Sequence, residues 1–181
     1  MKFTVSLGEK LDVGYDSFRI IRYRVIVQPA VIEMNKMLIG IDPGQVNMGM
    51  AFVGHGYSDL YQIGLPFDSD PSIRIMNVAE VVSSLLEAWL PQPGDRACIE
   101  YAAYNKLHGQ VPLAEARTSA GIALMQKGIV PLFVPPATIR KTVFGKGTIR
   151  AEDVWPELAD KKHNDFLVAF SCALYFYEKG L

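Results

Sequence analysis

Three carboxylates in this chain stand where core packing has no use for a charge. Asp42 follows the apolar run Leu38-Ile39-Gly40-Ile41 and precedes Pro43-Gly44, and Glu100 follows Ala97-Cys98-Ile99. Asp165 opens a segment in which Phe166, Ala169, Phe170 and Ala173 recur at helical spacing. Taken alone, Asp165 also suits the first turn of any helix, where a negative charge meets the dipole, and Asp42 also suits a Pro-Gly turn. Glu100, with Tyr101-Ala102-Ala103-Tyr104 behind it, has neither role. The three together point to cation chemistry. Carboxylates brought close raise one another's pKa unless cations neutralise them. Hard oxygen donors select Mg²⁺ or Mn²⁺. Two such ions, about 4 Å apart, activate a water and stabilise the leaving oxygen of a phosphodiester.

A polyanionic substrate needs cations on the protein. The stretch 136–151 holds Arg140, Lys141, Lys146 and Arg150 and no acidic residue, so it is expected to meet phosphates, with a solvated surface face as the plainer alternative. Gly145 and Gly147 beside Lys146 let the backbone approach a phosphate, which makes Lys146 the expected contact near the scissile bond. Tyr101 and Tyr104, with Lys106 and His108, have the composition of a loop that wedges between unstacked bases.

The elements that must position these groups follow from the apolar pattern. Strands are expected at 38–41, 49–53, 60–64, 97–99 and 129–134. Helices are expected at 72–90, 113–127, 136–143, 152–158 and 164–178. Three leading strands joined by short loops, followed by alternating helices and strands, give an α/β fold: a mixed five-stranded sheet with helices on its faces. If the strands ending in Asp42 and Glu100 are neighbours, those carboxylates meet, and the last helix can deliver Asp165 to them. Residues 1–36 stand apart. Their alternation (Arg22-Tyr23-Arg24-Val25-Ile26-Val27) is strand-like. Three readings stay open: a hairpin added to the domain, an upstream segment with little structure, or a basic arm in which Arg19, Arg22 and Arg24 alternate with Phe18 and Tyr23.

The ordered set of motifs resembles the RuvC-type Holliday-junction resolvases of the ribonuclease H-like superfamily. Ile39-Gly40-Ile41-Asp42-Pro43-Gly44, with Asn47 and Gly49, is similar to their opening motif, and Ile99-Glu100 to their second. Ala114-Glu115-Ala116-Arg117 through Ala120-Gly121-Ile122 is similar to their central helix. The run from Pro135-Pro136 to Gly145-Lys146-Gly147 resembles their basic segment, and Asp165 with its apolar continuation resembles their final helix. The likeness spans 37 to about 177. It implies a ribonuclease H-like nuclease domain at 37–181 and an endonuclease that cuts four-way DNA junctions in recombination and repair. It also implies a catalytic and metal site of Asp42, Glu100 and Asp165, and a homodimer, since a four-way junction needs two symmetric cuts. The small-residue helix with Ala116, Ala120 and Gly121 is the expected dimer surface.

One position departs from the family pattern. Where the family keeps a further ligand three residues before the last aspartate, this chain has Lys162, which cannot bind a metal while protonated. His163 is the expected replacement, with Asp160 as the alternative. Failing both, the chain would be a weak nuclease or a junction-binding protein. Other ribonuclease H-like nucleases, acting on flaps, hybrids or RNA, are the nearest enzyme rivals. An ATP-dependent phosphotransferase built on Asp42-Pro43-Gly44 would need a second glycine-rich phosphate motif, and none is found.

Bulk properties exclude less. The chain has 181 residues, half of them apolar, which suits one domain with a true core. Eighteen basic against nineteen acidic residues leave a net charge of -1, which decides little. Two cysteines in apolar runs, and no run long enough to span a bilayer, lead to the expectation of a cytoplasmic protein in a bacterial or phage-infected cell.

Overall fold

A computed structural model describes residues 4–13, 18–28, 36–54, 58–92, 94–101, 110–160 and 164–180. The strands are β1 (Thr4–Asp12), β2 (Arg19–Gln28), β3 (Leu38–Asp42), β4 (Asn47–Val53), β5 (Ser58–Gly64), β6 (Arg96–Glu100) and β7 (Pro131–Val134). The helices are α1 (Pro71–Trp89), α2 (Gln110–Gln126), α3 (Pro136–Phe144), α4 (Ala151–Val154) and α5 (Asp165–Lys179). All the strands join one mixed sheet in the order β1-β2-β5-β4-β3-β6-β7. The sheet therefore has seven strands, not the expected five. The extra pair is the N-terminal hairpin, whose β2 runs antiparallel along β5.

The hairpin pairs there because β2 has two usable faces. Tyr23, Val25 and Val27 join the core under α5, while Ile20 joins the core on the opposite face. An ion pair fixes the register. Asp59 of β5 is buried and accepts from Arg24 Nε at 2.7 Å and Nη2 at 2.8 Å. Arg22 lies 3.5 Å from Glu9 and 4.0 Å from Asp59. Arg22 and Arg24 are thus engaged with carboxylates of the sheet, and Phe18 and Tyr23 are buried, while Arg19 is exposed; the described part of the segment is a strand of the sheet and not a free arm. Losing Arg24 would strand a buried charge, at about 3 kcal/mol. The outer strand β1 carries a bulge between Leu7 and Glu9.

Helices α1 and α2 cover one face of the sheet and α5, with α3 and α4, the other. Along β3, Ile39 and Ile41 face α1 and α2, and Leu38 faces α5, as a two-residue period requires. Asp70 caps α1 by accepting from Ser72 N at 2.8 Å, and Pro71 fits its first turn. The helix expected at 152–158 shrinks to α4, because Pro156 disfavours helical geometry at the residue before it; Trp155 leaves the helix at φ −124°, ψ 63°. Among the described residues no helix is long and apolar enough to cross a membrane. Cys98 and Cys172 are both free and buried.

Candidate active site

Strands β3 and β6 are parallel neighbours, with Ile41 opposite Ile99. Asp42 and Glu100 are the last residues of these two strands, so both emerge at the same end of the sheet. Helix α5 crosses that end and brings Asp165 with it. Two glycines allow the approach. A β-carbon on Gly40 would run into the backbone of Ala169 and Ala173, and one on Gly49 into the carbonyl of Asp165. Gly49 is also the register partner of Asp42.

The carboxylates feel one another. Burial pushes Asp42 well above the ordinary carboxylate value, and the charges of Glu100 and Asp165 push it further, against the pull of Arg117 and Arg140. Burial also raises Glu100; Arg140 and Arg117 oppose the rise and Asp165 adds to it. Among the described residues, no three His, Cys, Asp or Glu side chains are grouped so that together they could hold a metal ion. The donor chemistry fits a divalent cation even so: hard oxygens, held in low dielectric, with too little positive charge around them.

A cavity of about 220 Å³ opens beside them, walled by Glu100, Asp165, Arg140, Arg150, Asn164 and Ser171. Asp42 is half-buried and forms no part of that wall. Arg140 reaches the cavity from α3. Lys141 and Lys146 are exposed and lie outside its wall. Arg150 differs from expectation in being compensated: its side chain lies 3.4 Å from Glu152 and 3.0 Å from Asp153, the two residues just beyond the basic stretch. Tyr101 follows Glu100 and lies under the guanidinium of Arg117, 5.3 Å from ring centre to Cζ. Tyr104, Lys106, His108, Lys162 and His163 lie outside the described residues. Asp160 is 4.0 Å from Lys10 Nζ.

Two residues that the pattern reading passed over stand in the site. Gln62 of β5 is buried; its Nε2 donates to Asp165 Oδ2 at 2.6 Å, and its Oε1 accepts from Phe166 N at 3.3 Å. A glutamine set between Tyr61 and Ile63, in the apolar middle of β5, was the available signal. Arg117 of α2 is almost fully buried, and its Nε has no hydrogen-bond partner.

The sequence from 38 to 156 matches the family model described as crossover junction endodeoxyribonuclease RuvC. The chain belongs to the RuvC family. It is a crossover junction endodeoxyribonuclease, from a family that serves DNA recombination and repair and depends on a divalent metal, generally Mg²⁺. The matched stretch includes Asp42 and Glu100 and ends before Asp165. Among curated proteins no significant sequence match is found. Two solved RuvC structures from Thermus thermophilus share the fold at 18% identity. One is in complex with a Holliday junction substrate: it has a TM-score of 0.66, covering 81% of this chain and 95% of that one. The other has a TM-score of 0.61, covering 80% and 96%. The RuvC fold thus accounts for about four fifths of the chain.

Proposed function

We propose that this RuvC-family chain resolves four-way DNA junctions by metal-dependent hydrolysis, with Asp42, Glu100 and Asp165 holding the metal and His163 supplying a fourth donor. The observation that carries this reading is geometric: Asp42 and Glu100 end the parallel neighbours β3 and β6, and the backbone of Asp165 packs on Gly49, the register partner of Asp42. When bound, two Mg²⁺ ions, or Mn²⁺ in their place, supply Lewis acidity at the phosphodiester. The chain's own residues do the rest. Asp42 and Glu100 must be ionised to act as donors, and Arg117 and Arg140 favour that state. Arg140, Lys141, Lys146 and Arg150 meet backbone phosphates, Arg150 by giving up its surface pairs. Tyr101, Tyr104 and Lys106 contact the strands at the branch. Residues 37–181 form the nuclease unit, which works on DNA in the cytoplasm, and 1–36 form an N-terminal extension whose strands β1 and β2 join its sheet.

Two symmetric cuts need two copies of the site, so the working form is a homodimer. Its surface is not the small-residue stripe of α2. Ala116 and Ala120 are buried in the core shared with α1, and a β-carbon on Gly121 would meet Phe133 at 3.2 Å, so these residues pack within the chain. The outer face of α2 and the α2 side of edge strand β7 instead expose Ile122, Met125 and Phe133. This apolar patch is the proposed dimer contact.

The test is cleavage of a synthetic four-way junction in Mg²⁺ by the parent and by Asp42→Asn, beside a linear duplex. The parent is expected to cut the junction and spare the duplex, and Asp42→Asn to bind without cutting. Equal cleavage by both proteins would overturn the assignment.

A further inference from the structure

Asp165 heads α5, and the start of the helix has no side-chain cap. The carbonyl of its N-cap residue Asn164 accepts from Leu167 N at 2.9 Å, but the Asn164 side chain turns away and accepts from Asp160 N at 2.8 Å. The side-chain support for this end comes from elsewhere. Gln62 binds the Asp165 carboxylate and the Phe166 amide. The Phe166 ring lies flat against Tyr23 of the N-terminal hairpin, with centroids 4.3 Å apart and planes 6° from parallel.

Tyr23 is itself well held. It sits between Lys10 of β1 and Leu60 of β5 in the sheet register. One residue on, Arg24 ties β2 to buried Asp59. Lys10 Nζ lies 4.9 Å from the centre of the Tyr23 ring and reaches Asp160, just ahead of the helix. Both rings of the stack fall outside the 38–156 stretch matched to the family.

We propose that Tyr23 is a positioning residue: by stacking on Phe166, the N-terminal hairpin seats Asp165 for metal binding. The proposal rests on the reading of Asp165 as a ligand. A flat stack fixes both the rotation of α5 and its height along the sheet, and Asp165 is one residue from the stacked ring. Ligand carboxylates depend on such outer supports, whose loss typically weakens metal binding or activity by about 10–100-fold.

The experiment uses the full chain with Tyr23→Phe, Tyr23→Leu, Phe166→Leu and Asp165→Asn. Three properties are measured: Mn²⁺ binding by calorimetry on the protein alone, the Mg²⁺ concentration giving half-maximal junction cleavage, and the melting temperature. Tyr23→Leu and Phe166→Leu are expected to bind Mn²⁺ about tenfold more weakly and to need correspondingly more Mg²⁺. Their cleavage rate should recover at saturating Mg²⁺, and junction binding without metal should be unchanged. Tyr23→Phe, which keeps the ring, restores parental metal binding. Parental metal binding in Tyr23→Leu overturns the proposal. So does a loss of cleavage that no Mg²⁺ concentration restores, or a failure of both leucine variants to fold, which would make the stack a fold contact only. If Asp165→Asn cleaves like the parent, the ligand reading itself fails. If Asp165→Asn is inactive while Tyr23→Leu binds metal normally, only the role of the hairpin fails.

Discussion

The backbone of Asp165 occupies the space that a side chain on Gly49 would need. Because Gly49 stands opposite Asp42 in the β3–β4 register, this one missing side chain sets how near the two aspartates come. Gly49→Ala should therefore push the head of α5 away from the sheet. Overpacking of this kind costs about 1–3 kcal/mol. Denaturant melts should show that loss, and junction cleavage in Mg²⁺ should fall further than junction binding. A Gly49→Ala protein with parental cleavage would mean that the approach of α5 has no bearing on the chemistry.

The raised pKa values of Asp42 and Glu100 predict the pH dependence of the metal-free fold. In the unfolded chain both groups titrate near the ordinary carboxylate value, about 4. In the native state both hold their protons to higher pH. The native state thus binds more protons between the two values, so stability falls as pH rises through that window and stays lower above it. In EDTA, the melting temperature of the parent should decline from the acid side toward neutrality more steeply than that of Asp42→Asn. Adding Mg²⁺ at neutral pH should restore the parent and leave the variant nearly unmoved. Parallel curves in EDTA would contradict the assignment of burial to Asp42.

These outcomes bear on what could be read without coordinates. Asp42 and Glu100 were legible because a charge directly after a buried apolar strand has few structural uses. Asp165 was legible only as a partner to them, since the first turn of any helix welcomes an acid. Gln62 was not, because β5 also carries Ser58 and Asp59, and a further polar residue there reads as alternation until its partner across the fold is known. The hairpin was visible only as one alternating run, Arg22 to Val27, and as one of three open readings; its docking depends on Asp59, a lone carboxylate with no local signature. The small residues of α2 announced close packing without saying against what; α1 and Phe133 of the same chain supply the answer.

Arg117 should act on the same titration from the opposite side. It is buried, its Nε is unpartnered, and its charge favours the ionised forms of Asp42 and Glu100. Replacing it by Met removes that influence, so the acid limb of the cleavage pH profile should move to higher pH, with a rate loss of about tenfold at the pH where the parent is half-active. Arg117→Lys, keeping the charge, should leave the limb near its parental position. Superimposable limbs for Met and parent would assign Arg117 to packing against Tyr101 alone.

The apolar patch on α2 and β7 gives a prediction about assembly. Ile122→Asp and Met125→Asp place charges on exposed positions of α2, so the monomer fold should tolerate them within about 0.5 kcal/mol. Sedimentation should show a shift from dimer to monomer, and paired cuts on one junction should give way to single nicks. A double variant that sediments like the parent would place the contact elsewhere.

The bulge in β1 bears on how many copies can gather. A sheet with two open margins can recruit neighbours at both and grow into a filament. Here the hairpin ends the sheet on one side in a strand that is kinked between Leu7 and Glu9 and carries Glu9, Lys10 and Asp12, a poor template for a further strand. Among the described residues the other margin is β7. If copies associate there, growth through one margin would stop at two, the number the proposed paired cutting of a four-armed substrate requires.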